Sequence, residues 1–346
     1  MLVTILTVLS IIALLSILVP LLRIGHWVIR GFDFPYVQFT VFTLLTLVAW
    51  IPVLTFTTSQ LILIGLLVIA VIFRLWVIFP YLNLAAKKVL DAVEGDRIKI
   101  ISANVLMYNE NYEGFLKIVA EKDPDILLIV EADQKWLDGI SESLGQFRYN
   151  LLHPLDNTYG MLMFSKLKLK NSEVRFLVEE HVPSFKTVFT LNSGQDIQFF
   201  GMHPKPPSPS ENETSTPRDA ELILVGRESK LGDLPVIVAG DMNDVAWSHT
   251  SRLFIRISGL LDPRMGRGFF NTYHAKYPLL RWPLDHIFLS HHFKILKMEL
   301  LDNFNSDHFP IYVELTYAPS LEAKSNIEKP DVDDRNEAAD KLNQVR

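Results

Sequence analysis

Three long runs near the N-terminus carry almost no charge, and they decide what the first part of this chain can become. Residues 2–22 (LVTILTVLSIIALLSILVPLL) have no charged residue, Tyr36–Phe56 has none, and Leu61–Tyr81 has only Arg74. About 20 apolar residues in helical form cross the hydrocarbon core of a bilayer, where backbone polar groups must be paired within the segment. The runs therefore predict three transmembrane helices within residues 1–83, and so a multi-pass integral membrane protein. A cleaved signal peptide does not fit the first run. No basic stretch precedes it, no small-residue cleavage site follows it, and its apolar core is too long. Arg74 sits beside Trp76, Phe79 and Tyr81, which predicts snorkelling to an aromatic interface. The first loop carries Arg23 and Arg30, the second (TTSQ) no basic residue, and Lys87 and Lys88 follow the third run. By the positive-inside rule the N-terminus is outside and residues 84–346 are cytoplasmic.

The remainder has the composition of a globular domain. Residues 84–96 read as a short amphipathic connector, 97–318 as the folded domain, and 319–346, polar and mixed in charge, as a disordered tail. The chain has no cysteine, which excludes disulfides, thiolate metal sites and a thiol nucleophile. Its net charge of −6 comes with no basic stripe of the kind generic duplex binding uses.

Within 97–318, β-branched and alternating runs predict strands at 98–106, 125–132, 159–166, 174–178, 283–290, 294–301 and 310–317. The segment VFTLNSGQDIQFFGMHP predicts a hairpin turning at Asn192–Gly194, and PVIVAGDMN a further strand. Helices are predicted over 114–122, 136–144, 218–229 and 250–258. Several strands are apolar on both faces, as when each sheet is covered on both sides. The expected fold class is α/β, two packed sheets with helices outside, in the order α/β/β/α.

The odd polar residues fall at strand ends. Asn104 lies in the first strand, Glu131 ends the second, and His203 ends the hairpin. Asp241 and Asn243 follow PVIVAG, Asp285 interrupts the apolar WPLDHIFL, and Asp307 and His308 precede the last strand. Each has a plainer reading. Glu131 could be a strand end reaching solvent, Gly-Asp-x-Asn a turn, and His203 a satisfied surface histidine. Asp307-His308 could be an ordinary loop. Asp285 is harder to dismiss, because a buried carboxylate needs a partner. Taken as an ordered set, the residues point to one shared site.

The pieces SANV (102–105), IVEA (129–132), GMHPKPP (201–207), GDMN (240–243), LDHIF (284–288) and SDHFP (306–310) resemble the endonuclease/exonuclease/phosphatase superfamily, over about residues 97–317. The membrane segment lies outside that resemblance but is similar to the membrane-anchored bacterial branch of the family, which implies a bacterial inner membrane. The resemblance implies a DNase I-like four-layer sandwich and Mg²⁺-assisted cleavage of a phosphoester, with Mn²⁺ as a substitute. It implies Glu131, Asn104 and Asp307 at the metal and Asp241 orienting or deprotonating the attacking water. It also implies Asn243 on a phosphate oxygen, and His308 on the phosphate with Asp285 as its partner. His203 matches a second histidine of nuclease and sphingomyelinase members, where apurinic endonucleases carry a tyrosine. The chemistry is consistent, since Mg²⁺ takes hard oxygen ligands and often only one or two carboxylates, and His203 would protonate a leaving oxygen.

The motifs specify the bond and not the molecule. The expected partners are a phosphoester substrate (lipid headgroup, small molecule or nucleic acid) and the bilayer through residues 1–83, with no protein partner implied. A nuclease and a catalytically inactive membrane-tethered scaffold are the alternatives, and the filled motif positions favour catalysis. Arg218, after the Pro/Ser-rich loop, reads equally as a phosphate-binding cation or as a salt bridge at a helix start.

Overall fold

The computed structural model describes residues 1–92, 94–319 and 321–345. Helices α1 (Leu2–Leu21), α2 (Tyr36–Trp50) and α3 (Thr58–Ile78) pack pairwise, and all three are long and apolar enough to cross a membrane. The bundle is apolar outside, and inside it small polar residues sit beside an apolar cluster of Leu6, Ala13, Trp50 and Leu67. Leu45, Ile69 and Ile72 are exposed, whereas Ser10, Ser16, Thr40, Thr43 and Thr46 are buried between the helices. Small polar residues at such interfaces let helices approach closely and hydrogen-bond.

Arg74 does not snorkel. It is fully buried, donating to Ser16 Oγ at 2.6 Å and Thr43 Oγ1 at 3.4 Å, with the rings of Tyr36 and Phe39 within 5.5 Å of its guanidinium. Hydroxyls and π faces inside the bundle replace the water that snorkelling would reach. The same contacts set direction. Trp50 Nε1 donates to Ser10 Oγ at 3.0 Å, so α1 and α2 are antiparallel. The ends of α1 and α3 and the start of α2 therefore share one side.

That side carries the sandwich. One sheet has the order β10-β11-β1-β2-β4-β3, the other β5-β6-β7-β8-β9. The strands are β1 (Asp96–Asn104), β2 (Ile126–Val130), β3 (Tyr149–His153), β4 (Met161–Ser165), β5 (Leu169–Arg175) and β6 (Ser184–Thr190). They continue as β7 (Asp196–Met202), β8 (Val236–Asp241), β9 (Asp285–Leu289), β10 (Phe293–Leu300) and β11 (Ile311–Tyr317). Ile98, Ile100, Leu128 and Val130 of one sheet meet Phe199, Ile237, Ala239 and Ile287 of the other in the central core. Outside the first sheet lie α4 (Tyr112–Lys122) and α5 (Gln134–Ser141), and outside the second α6 (Thr216–Glu228) and α7 (His249–Ser258). This is the expected α/β/β/α order.

Three local readings need correction. The strand placed at 174–178 is β5, ending at Arg175, and β3 was not anticipated. The segment read as a connector is built into the sandwich, with Asp91 bridging to Ile295 and Val89 in the inter-sheet core. The tail expected to be disordered forms α8 (Val332–Asn343), with a capping box between Asp331 and Asp334. It docks through Arg256–Asp334 at 2.7 Å and Lys341–Asp219 at 2.7 Å, pairings a polar sequence does not reveal.

Register brings strand ends together. Parallel β1 and β2 pair Asn104 with Val130, parallel β7 and β8 pair Met202 with Gly240, and antiparallel β8 and β9 pair Asp241 with Asp285. Gly240 makes this possible. Its φ is +139°, and a Cβ there would lie 1.9 Å from the carbonyl oxygen of Met202. Gly240→Ala is expected to cost about 3 kcal/mol or more, read as a large fall in Tm or in folded yield of the detergent-purified chain. Unchanged stability would refute this reading of the strand pair.

Candidate active site

All eight residues singled out from the sequence gather at this end of the sandwich. The Asn104 amide nitrogen donates to Glu131 Oε1 at 2.7 Å and to Asp241 Oδ2 at 3.1 Å, while its oxygen accepts from Leu106 N at 3.0 Å. Two carboxylates can only accept from one side-chain amide through its NH₂. Asn104 thus clamps Glu131 and Asp241, with its oxygen engaged by backbone. Asn243 N donates to Asp241 Oδ1 at 2.9 Å, and its side chain to the carbonyl of Pro204 at 3.0 Å. His308 Nδ1 lies 2.7 Å from Asp285 Oδ2, and its Nε2 3.6 Å from Asp241 Oδ2. His203 is buried with its ring against Tyr159, 5.2 Å between centroids.

Glu131 and Asn243 both adopt positive φ, +59° and +50°. Side chains rarely occupy that region, and such residues persist where surrounding contacts hold them. Asn243 has such a hold. Arg218, buried, donates to its carbonyl oxygen at 2.7 Å and pairs with Asp219 and Asp244 at 2.9 and 3.4 Å. Arg218 is therefore a brace for this loop, satisfied by two carboxylates of its own. Lys341 of α8 extends the chain of ion pairs to Asp219.

Several supporting residues escaped sequence reasoning. Thr272 Oγ1 accepts from the backbone N–H of Leu284 and Asp285, both at 3.2 Å. Ser306 Oγ donates to Asn104 O at 2.8 Å and accepts from His308 N at 3.0 Å. The Tyr273 ring lies 4.9 Å from that of His308. Only Ser306, inside SDHFP, left a trace in the motifs.

The electrostatics separate the two histidines. Burial opposes charge on His308, but Asp285 and Asp241 outweigh it and raise the imidazole to about 10. Burial pulls His203 down to about 4, the opposite direction to His308. Burial pushes Glu131 up to about 7, against the hydrogen bond from Asn104 and with the help of Asp307 and Asp241. Buried carboxylates outnumber cations here, and an added cation would relieve the imbalance.

A hard divalent ion fits this donor set. Glu131 and Asp307 supply carboxylate oxygens, and Asp307 Oδ1 is buried without a hydrogen-bond partner among the described residues. Asp241, Asp285 and His308 also bring one donor atom each within 4.8 Å of one another. There, however, Asp285 is committed to His308, and a protonated ring has no lone pair to offer a metal at that nitrogen.

The sign of the pH dependence follows. His308 is raised in the folded protein from 6.5 to about 10. Its pairing stabilises the fold fully below about pH 6.5, and that contribution is lost as pH rises through about 10. In Asp285→Asn the imidazole loses its main anion, so its titration, followed by NMR of the ring protons, is expected to move down by more than one unit. An unmoved titration would show that Asp285 is not the source. Asn104→Ala is expected to lower Mn²⁺ affinity about 10–100-fold at similar Tm, measured by calorimetry.

Comparison with known proteins places this geometry. Residues 101–308, more than half the chain, match the model of the Endonuclease/Exonuclease/phosphatase family. No curated protein matches the chain significantly. Among solved structures, D. rerio TDP2 complexed with a single-strand DNA product is 20% identical, covering 64% of this chain and 99% of that one, with a TM-score of 0.55. The human Nocturnin catalytic domain with bound sulfate is 18% identical over 66% and 97% of the two chains, TM-score 0.53. A family protein from Bacteroides thetaiotaomicron is 19% identical over 67% and 98%, TM-score 0.53. Such identities establish a shared fold. With the family match over residues 101–308, they lead to one conclusion: the chain belongs to the endonuclease/exonuclease/phosphatase family, whose members are metal-dependent hydrolases.

Proposed function

We propose that this chain is a membrane-anchored phosphoesterase, dependent on Mg²⁺ or Mn²⁺, that hydrolyses a phosphodiester or phosphomonoester by in-line attack of water. The observation that carries the reading is one linked cluster drawn from distant segments. Glu131, Asn104, Asp241 and Asn243 are hydrogen-bonded in series, His308 approaches Asp241, and Asp285 holds His308.

Glu131 and Asp307 would hold the metal, with Asn104 fixing the Glu131 carboxylate. When bound there, the ion supplies positive charge to the phosphoryl oxygens. Asp241, fixed by Asn104 and by the Asn243 backbone, orients the water and accepts its proton. His308 is kept cationic by Asp285. It binds a phosphoryl oxygen and meets the charge that develops there, and it is the acidic imidazole of the site. Asn243, braced by Arg218, presents its amide beside Asp241. His203 contributes an imidazole whose ring lies tilted against that of Tyr159. The anchor is residues 1–83, with the catalytic side cytoplasmic on the distribution of Arg23, Arg30, Lys87 and Lys88.

A nuclease is the second reading, favoured by the DNA product in the D. rerio neighbour. The net charge of −6 offers no surplus of cations for a polyanion.

The full chain in detergent is expected to hydrolyse bis-p-nitrophenyl phosphate with Mg²⁺ and to stop with EDTA. Glu131→Ala and His308→Ala should each lower turnover by about 10²–10³-fold or more with the fold intact by circular dichroism. Turnover that survives EDTA, or both variants, would defeat the proposal.

A further inference from the structure

The segment between Asp262 and Asp285 holds Arg264, Arg267, Lys276 and Arg281 and no acidic residue, in a chain that is acidic overall. Its tip is apolar and open. Tyr277, Leu279 and Leu280 are 57%, 84% and 48% exposed, three large apolar side chains within four residues. Loop tips facing water are ordinarily polar, and an apolar cluster on one marks a surface that binds something.

The contacts of this loop identify what it meets. At its outer end, Gln38 Nε2 donates to Leu279 O at 2.8 Å, and Gln38 lies in the first turn of α2. Trp282 packs edge-on against Phe34, just ahead of the same helix, at 5.7 Å. The tip is therefore fixed level with the start of a helix long and apolar enough to cross a membrane. Aromatic rings, leucines and basic side chains are what an interfacial segment presents there. At its inner end the loop is part of the site. Tyr273 bridges to His308 and faces its ring, and Ala275 N donates to Asp307 O at 2.7 Å.

We propose that residues 273–282 form an interfacial loop whose Tyr277, Leu279 and Leu280 sit among lipid headgroups, holding the mouth of the site at the bilayer surface so that it takes a phosphoester carried by a lipid of the same membrane. The substrate part rests on the phosphoesterase reading above; the surface part does not. The reaction is hydrolysis. Water forms the new bond to phosphorus, the bond to the leaving oxygen breaks, and that oxygen takes a proton, so no further reactant is needed.

The absence of cysteine from the chain makes the test direct. Full-length Leu279→Cys, labelled with an environment-sensitive fluorophore, is reconstituted in phosphatidylcholine/phosphatidylglycerol vesicles containing spin-labelled lipid. Leu231→Cys, exposed beyond the opposite end of β8, is the reference. At position 279 the label should be quenched at least several-fold more strongly than at 231. Equal quenching overturns the interfacial loop. In parallel, unlabelled chain is offered vesicle phospholipid, bis-p-nitrophenyl phosphate and a single-stranded oligonucleotide with Mg²⁺. Leu279→Ser/Leu280→Ser should lose at least tenfold more rate on vesicles than on the soluble diester, and an equal loss overturns the role in access. Turnover of the soluble diester or the oligonucleotide without the lipid overturns the lipid substrate and leaves the phosphoesterase standing. No turnover of any of them overturns the phosphoesterase and the substrate together, while the fluorescence still decides the loop.

Discussion

The Trp247 indole donates to the carbonyl oxygen of Asp33 at 2.7 Å, and around that bond two parts of the molecule share one interior. Tyr36, Val77, Ile78 and Tyr81 from the helix bundle pack with Met242, Val245, Trp247, Met265 and Phe288 from the sandwich. The buried Tyr81 hydroxyl donates to Ala246 O at 2.7 Å. Met242 stands between Asp241 and Asn243, so the bundle is packed directly behind the turn that carries these two site residues. The first loop of the bundle also pairs with the far side of the site, through Ser215 N to Gly25 O at 2.8 Å and Trp27 N to Glu213 O at 3.0 Å. An anchor joined by a flexible linker would leave the site free to tumble; here both loops beside it are fastened to the helices.

Inside that frame the site concentrates negative charge where solvent is scarce. Glu131, Asp241, Asp285 and Asp307 face one cationic imidazole. Proteins bury charge at a cost that only partners or protonation relieve, and three of the four carboxylates here show one of these responses. Asp285 holds His308, Asp241 accepts from Asn104 and Asn243, Glu131 is pushed toward its protonated form, and Asp307 keeps an oxygen without a partner. The two histidines diverge for the same reason. His308 has anions within reach, whereas His203 has a tyrosine ring.

Much of this was legible in the sequence. Apolar strands ending in single polar residues gave the layered fold and brought the eight site residues into view, because a carboxylate at the end of LLIV or inside WPLDHIFL has no local reason to be there. The rest depends on partners remote in sequence. Arg74 reads as an interfacial residue until Ser16 and Thr43 meet it from other helices. The final helix offers only Ala338 and Leu342 as buried apolar residues and docks by charge, so its sequence looks like that of an unfolded tail. Thr272, Tyr273 and Ser306 matter only through atoms they hold in place. The proton state of His203 depends on burial, which no motif encodes.

The shared interior has a consequence for the sandwich taken alone. Residues 1–83 precede the sandwich in the chain, and their helices are long and apolar enough to cross a membrane. The sandwich packs against this surface, and α8 lies next to the first loop of the bundle. Arg23 of the first loop lies 3.5 Å from Glu337 of α8. A chain started at the sandwich would turn Met242, Val245 and Trp247 toward water where Ile78 and Tyr81 had been. The bundle thus completes an interior that the sandwich alone would leave open to water.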